Sequence, residues 1–233
     1  MKTLRSKTGP FLERPYFPDG VIENTCADEL RAVGLLPLSP EPIRIDRFIE
    51  KRFKVTPSYE ELPEGVLGLT RFNQQGVSEV VVARALDEES SKVAERRIRT
   101  TLAHEGGHCL LHTHLFVLAT PSHNLFGDFT ETDAPKVLCR GEVGQESRPG
   151  YDGKWWEFQA NLAIGGLLIP TQLMAPALEK FMLKSPIGLG YFDHERSEEA
   201  ARVLAEVFDV NPAVARIRIK QVFRTDSRQQ LLL

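Results

Sequence analysis

The sequence predicts an α+β protein: a short β-sheet packed on one long helix, with a pair of helices closing the C-terminal end. Three observations lead there. Residues 66–72 and 77–84 are apolar, β-branched-rich runs on either side of Asn73-Gln74-Gln75-Gly76, a hairpin pattern. Residues 90–112 place Val93, Ile98, Leu102, Cys109 and Leu110 on one helical face, behind Ser90 and Ser91, either of which can cap the start. Residues 198–208 and the stretch after Asn211 repeat the helical pattern near the end of the chain, with Pro212 suited to a first turn.

The remaining elements follow in order. Residues 1–41 are proline-rich and predict an extended lead-in with one short helix over 26–33, capped by Thr25, supported by Asp28 and ended by Gly34. Asp46 begins a helix that turns Phe48, Ile49 and Phe53 inward. A core unit over 42–190 then holds the hairpin, the long helix and an irregular insertion near 113–154, where Pro121, Pro135 and Pro149 interrupt any period. Within it, 155–168 reads as a helix stopped by Pro170, and 176–183 as a shorter one. Residues 191–233 form a C-terminal helical subdomain, with Ser197 capping the helix over 198–208.

Composition bounds the possibilities. With 233 residues, 42% hydrophobic and 26% charged, the chain can build one core of ordinary size. A net charge of −3 makes no electrostatic case for nucleic acid or an anionic membrane. Cys26, Cys109 and Cys139 are odd in number and far apart, which argues against a disulfide framework and for a reducing compartment. The first ten residues are basic but lack the apolar run of a secretory signal, and no stretch is apolar enough to span a bilayer. A cytoplasmic protein without membrane association is expected.

The chemistry concentrates in His104-Glu105-Gly106-Gly107-His108, an H-E-x-x-H motif in the C-terminal half of the long helix. Histidines four apart lie one turn above the other and can grip one Zn²⁺ from one side. Glu105, one step round, can reach a water on the same metal. Gly106 and Gly107 each cost a helix interior roughly 1 kcal/mol against alanine, so they suit a place where backbone or substrate must come close.

A catalytic zinc takes three protein ligands and keeps one position open. His114 stands where a metzincin pattern has its third histidine, but the turning glycine of that pattern is Leu111 here. On an unbroken helix six residues rise about 9 Å, which removes His114 from the ion, and His112 fails for the same reason. Glu157 is the other candidate. It shares a helical face with Asn161, whose carbonyl could accept the free ring N–H of a ligating histidine. Spacing alone does not separate this from a surface glutamate with a chance neighbour.

Thr101-Leu102-Ala103-His104-Glu105-Gly106-Gly107-His108, Glu157-Phe158-Gln159-Ala160-Asn161 and Leu167-Leu168-Ile169-Pro170 together resemble the ImmA/IrrE family of metallopeptidases. That family shows T-x-A-H-E-x-G-H-x-x-x-H, then E-x-x-A-N leading to L-L-M-P. Here Gly106 replaces a bulky apolar residue, Ile169 replaces Met, and residues 163–166 stand where an aromatic-alanine pair is common. The resemblance spans residues 42–222. It implies a small zincin-like domain, one Zn²⁺ per chain held by His104, His108 and Glu157, and Glu105 as catalytic base. It also implies a cytoplasmic endopeptidase whose protein substrate is a helix-turn-helix transcriptional repressor, in a stress response or a mobile element. A non-cleaving, zinc-bound protein that sequesters a repressor or an antitoxin is the rival, and it gives Glu105 no task.

Other residues carry weaker expectations. Tyr191 and His194 are candidate oxyanion donors, against the plainer expectation that their loop packs onto the last helices. Cys139 could approach the metal and gate it, against an ordinary buried thiol, and Cys109 should face the core. The stretch 216–228 is locally basic, but the helix pair before it is acidic, so direct nucleic-acid binding is not expected.

Overall fold

The structure is a computed structural model that describes residues 2–5, 13–115, 136–140, 155–184 and 190–223. It opens with a small hairpin, β1 (Lys2–Arg5) against β2 (Glu13–Tyr16). Helix α1 follows as Asp19–Ala32, longer than the helix expected over 26–33. Its start lies at Pro18, whose fixed φ suits a first turn, and Asp19 sits at the positive end of the helix dipole. Thr25 is therefore an interior residue rather than a cap. Gly34, at φ 69°, takes the left-handed turn beyond the end, as expected. Ile22, Cys26 and Leu30 face the common core, so this segment packs with the rest of the chain.

Helix α2 (Ile45–Phe53) buries Phe48 and Ile49 and half-buries Phe53. A four-stranded sheet follows, built from β3 (Ser58–Glu60), β4 (Val66–Asn73), β5 (Gly76–Ala83) and β6 (Lys136–Arg140). Its order is β3-β5-β4-β6, with β3 parallel to β5 and the other pairs antiparallel. The hairpin expected between 66 and 84 is β4–β5. It turns at Gln74-Gln75, where Asn73 Oδ1 accepts from the Gln75 N–H at 2.8 Å and Gly76 takes φ 127°. Of the irregular insertion near 113–154, residues 116–135 and 141–154 lie outside the described residues.

A short α3 (Arg84–Glu88) leads to α4 (Lys92–Leu111), the helix that carries the motif. Ser91 caps it, its Oγ accepting from the Ala94 N–H at 3.0 Å. Val93, expected on the apolar face, is 56% exposed, while the C-terminal half of α4 is buried nearly all round. That half runs between the sheet and α5 (Trp155–Leu168). Gly107 explains how close the two helices come: a Cβ there would lie 2.9 Å from Ala163 Cβ and 3.1 Å from the Ala160 backbone.

The next helix, α6, is Thr171–Ala177 rather than the expected 176–183. It starts directly after Pro170, and Glu23 of α1 accepts the Thr171 N–H at 2.8 Å, a cap supplied from 148 residues away. A second small hairpin, β7 (Met182–Lys184) with β8 (Gly190–Phe192), leads to α7 (Ser197–Val207) and α8 (Pro212–Val222). These last two form the expected C-terminal pair, but Ser197 is the first residue inside α7, behind Arg196, rather than its cap; Asn211 and Pro212 open α8, with no cap hydrogen bond from the Asn211 side chain.

The protein is thus α+β. Among the described residues no single helix is long and apolar enough to cross a membrane. Charged side chains tie the C-terminal pair to the centre. Asp209, at φ 52° in the α7–α8 turn, accepts from Arg96 Nε of α4 at 3.0 Å, and Glu206 accepts from the same guanidinium at 2.9 Å. Arg99 reaches the Asp209 and Ile43 carbonyls at 3.0 and 2.9 Å. Arg218, expected in a basic tail, is 5% exposed: it donates to the Ile169 carbonyl and Thr171 Oγ1 and pairs with Glu23.

Candidate metal centre

Helical periodicity stacks His104, His108 and His112 as one stripe of α4, all buried. Helix α5 crosses this stripe and brings Glu157 to it. His104 Nε2 and His108 Nε2 lie 3.0 Å apart, and Glu157 Oε2 stands 3.2 Å from the first and 3.6 Å from the second. These three groups could hold a metal ion. Zn–N and Zn–O bonds of about 2.0–2.2 Å put the ligand atoms of a tetrahedral zinc about 3.3–3.5 Å apart. The observed edges of 3.0, 3.2 and 3.6 Å lie on either side of that range, so small shifts of the side chains would fit them to the ion.

The electrostatics suit these groups to hold a cation. Burial holds His108 neutral, its pKa lowered to about 4, with His104 adding to the effect while Glu157 opposes it. Burial alone would raise the Glu157 carboxyl, but its contacts with the His104 and His108 rings outweigh it and hold the group well below the usual carboxylate range. Two imidazole nitrogens and a carboxylate oxygen facing one another this closely repel unless a proton or a cation sits among them.

Glu105 lies on the sheet side of α4 and is fully buried. Thr70 Oγ1 of β4 donates to its Oε2 at 2.6 Å. Its Oε1 has no hydrogen-bond partner among the described residues. Burial pushes the Glu105 pKa up to about 7, against the lowering effect of His104 and of the Thr70 hydroxyl. Gly68 of β4 makes room for that oxygen: a Cβ there would lie 3.1 Å from Oε1 and 2.5 Å from Thr101 Cγ2. Three convergent donors, with a carboxylate oxygen lacking a partner among the described residues on the neighbouring position of the same helix, could be completed by a metal and its water.

The other candidates fall into place around this triangle. His104 Nδ1 lies 3.0 Å from Oδ1 of the exposed Asn161, the contact expected of that amide. His114 is exposed beyond the end of α4, outside the donor cluster. The helical bond from the His112 N–H to the His108 carbonyl is intact at 2.9 Å, so the chain does not reverse at Leu111 as a metzincin site requires. Cys109 is buried in the hydrophobic core, where burial raises its thiol far above the ordinary range. Tyr191 and His194 sit on and after β8, where Phe192 stacks on Phe223 at 4.7 Å, so their loop packs onto α8. Cys139 has its backbone in β6, in register with Gly68, while its side chain lies outside what is described.

Sequence reasoning missed Thr70, Gly68, His112 as a partner of His108, and Gln159. His108 Nδ1 faces His112 Nδ1 at 2.9 Å, His112 Nε2 faces Gln159 Oε1 at 3.0 Å, and Gln159 Nε2 donates to the Pro15 carbonyl at 3.0 Å. The one signal available was the H-x-x-x-H spacing of 108 and 112, which places both rings on one stripe.

No family model matches this chain, and no curated protein or solved structure is significantly similar to it.

Proposed function

We propose that this chain is a zinc-dependent endopeptidase with a zincin-like core, as its resemblance to the ImmA/IrrE metallopeptidases implies. One observation carries the reading: His104, His108 and Glu157 converge, and the residue next to His104 on the same helix is a buried glutamate whose Oε1 has no partner among the described residues. A bound Zn²⁺ supplies a lowered water pKa and polarisation of a substrate carbonyl. Glu105 takes the proton of the attacking water on Oε1 and delivers it to the leaving amine. Thr70 holds Oε2, so the free oxygen keeps its aim through both transfers. Asn161 and Glu157 lie on the solvent-accessible side of the triangle, which is the side a peptide would enter.

A helix-turn-helix repressor is the substrate proposed by resemblance, and the cytoplasm the compartment. The basic residues near the C-terminus lend little to a nucleic-acid role, since Arg216 is paired with Glu198 at 2.6 Å and Arg218 is buried. The test is to mix the zinc-loaded chain with a panel of repressors of that class and follow their length by mass spectrometry. Shortening that stops on chelation and returns with zinc supports the peptidase. Stable, chelator-sensitive binding with every partner intact would replace it by the sequestering protein.

A further inference from the structure

We infer that the carbonyl of Pro15, in the N-terminal hairpin, fixes the proton order of His108 through Gln159 and His112, making those two side chains positioning residues for the metal. The inference rests on the metal-site reading above.

The argument starts at the far end of the relay. A proline carbonyl can only accept, so the Gln159 atom 3.0 Å from it must be the amide nitrogen, whatever rotamer the amide would choose alone. Gln159 then turns its oxygen, an acceptor only, toward His112 Nε2 at 3.0 Å. His112 must carry a proton there. The two Nδ1 atoms, 2.9 Å apart, share one proton, because two protons or none would set like against like. A neutral His112 protonated on Nε2 has a bare Nδ1, so the shared proton belongs to His108 Nδ1. The His108 Nε2 lone pair is thereby exposed toward His104 and Glu157. With His112 neutral, each step has one solution because the terminal group cannot donate, and because His112 and Gln159 are buried away from water that could break the order.

His104 is held differently. Its Nδ1 meets the exposed Asn161, an amide that can turn either end inward. The His108 tautomer is the one dictated along this chain of contacts from the protein interior.

The test uses the full chain, with histidine labelled on both ring nitrogens. Long-range nitrogen spectra of the metal-free parent should show His108 protonated on Nδ1 and His112 on Nε2. Zinc affinity is then measured by competition with a chromogenic chelator. His112→Phe removes the acceptor and should weaken zinc about 10–100-fold. His112→Asn puts an oxygen near the place of Nδ1 and should remain within about threefold of the parent. Gln159→Leu should weaken zinc several-fold in the parent but change nothing further in the His112→Asn background. Thermal unfolding of each metal-free variant separates loss of fold from loss of order. A spectrum with His108 protonated on Nε2, or equal zinc loss in His112→Asn and His112→Phe at equal stability, would overturn the inference. If His112→Phe does not fold, the parent spectrum and the Asn and Leu variants still decide. A parent that binds no zinc would sink the metal reading, while the proton order is judged on its own by the nitrogen shifts.

Discussion

The two ends of α4 solve the same problem in opposite ways. At the N-terminal end, the buried Arg96 meets carboxylates of Asp209 and Glu206, and Arg99 meets backbone carbonyls. Donor faces acceptor and charge faces countercharge. At the C-terminal end, nitrogen faces nitrogen across 3.0 Å, a carboxylate oxygen stands near both, and a second, buried carboxylate has one oxygen unmatched among the described residues. Buried polar groups are costly unless satisfied from within the fold, so a place where they are not satisfied points to something the chain itself does not supply. One helix thus carries a structural latch and a candidate reactive centre, and completeness of pairing tells them apart.

The sharpest way to break this contrast is at Glu105. Glu105→Gln keeps the size of the side chain and an acceptor for Thr70 but removes the base. Hydrolysis should fall by at least about 10²–10⁴-fold, while metal analysis and thermal unfolding stay close to the parent. Cleavage at the parental rate would remove Glu105 from the chemistry. The donors come next. His104→Ala or Glu157→Ala should lose stoichiometric zinc on purification and dialysis, read by elemental analysis. Zinc retained in full by Glu157→Ala would show that the triangle is not the ligand set.

The latch should respond in the other currency. Arg96→Ala removes two charge-assisted hydrogen bonds from the α7–α8 turn and should lower stability by about 1–2 kcal/mol, since the exposed Glu206 contributes little. Zinc content should not change. Denaturant unfolding beside metal analysis checks both, and loss of zinc at unchanged stability would mean that the two ends of α4 do not divide as described.

What could be read in advance follows the reach of the interactions. The H-E-x-x-H stripe is legible because a helix repeats every 3.6 residues, so residues 104, 105 and 108 have fixed relative directions whatever surrounds them. The β4–β5 hairpin and the Ser91 cap are local for the same reason. Glu157 depends on how α5 crosses α4, which spacing does not encode, and only resemblance to a family selected it. Thr70, Gln159 and Pro15 enter through contacts spanning 35, 47 and 144 residues. Arg218 was misread as part of a basic tail because its carboxylate partner, Glu23, lies 195 residues earlier. Thr25 reads as the start of α1 because that residue can cap, but Pro18 and the packing of Ile22 into the core carry the helix about two turns further back.

The smallest expected effect comes from Gly106, and set beside Gly107 it tests which of the two glycines inside the motif the seam between α4 and α5 demands. Gly107 faces Ala163 and the Ala160 backbone at 2.9–3.1 Å, so Gly107→Ala must push the helices apart. It should destabilise by about 1–2 kcal/mol despite its better helix propensity, and loosen zinc because Glu157 rides on the displaced helix. Gly106 is different. A Cβ there would meet only the flexible end of Leu167 at 3.4 Å and Phe48 Cε1 at 4.0 Å. Removing an interior helical glycine then gains up to about 1 kcal/mol. Gly106→Ala should unfold at equal or higher temperature with zinc affinity unchanged. If it were instead as damaging as Gly107→Ala, the Leu167 side chain of α5 would not be yielding, and the close approach of the two helices would extend beyond Ala160 and Ala163.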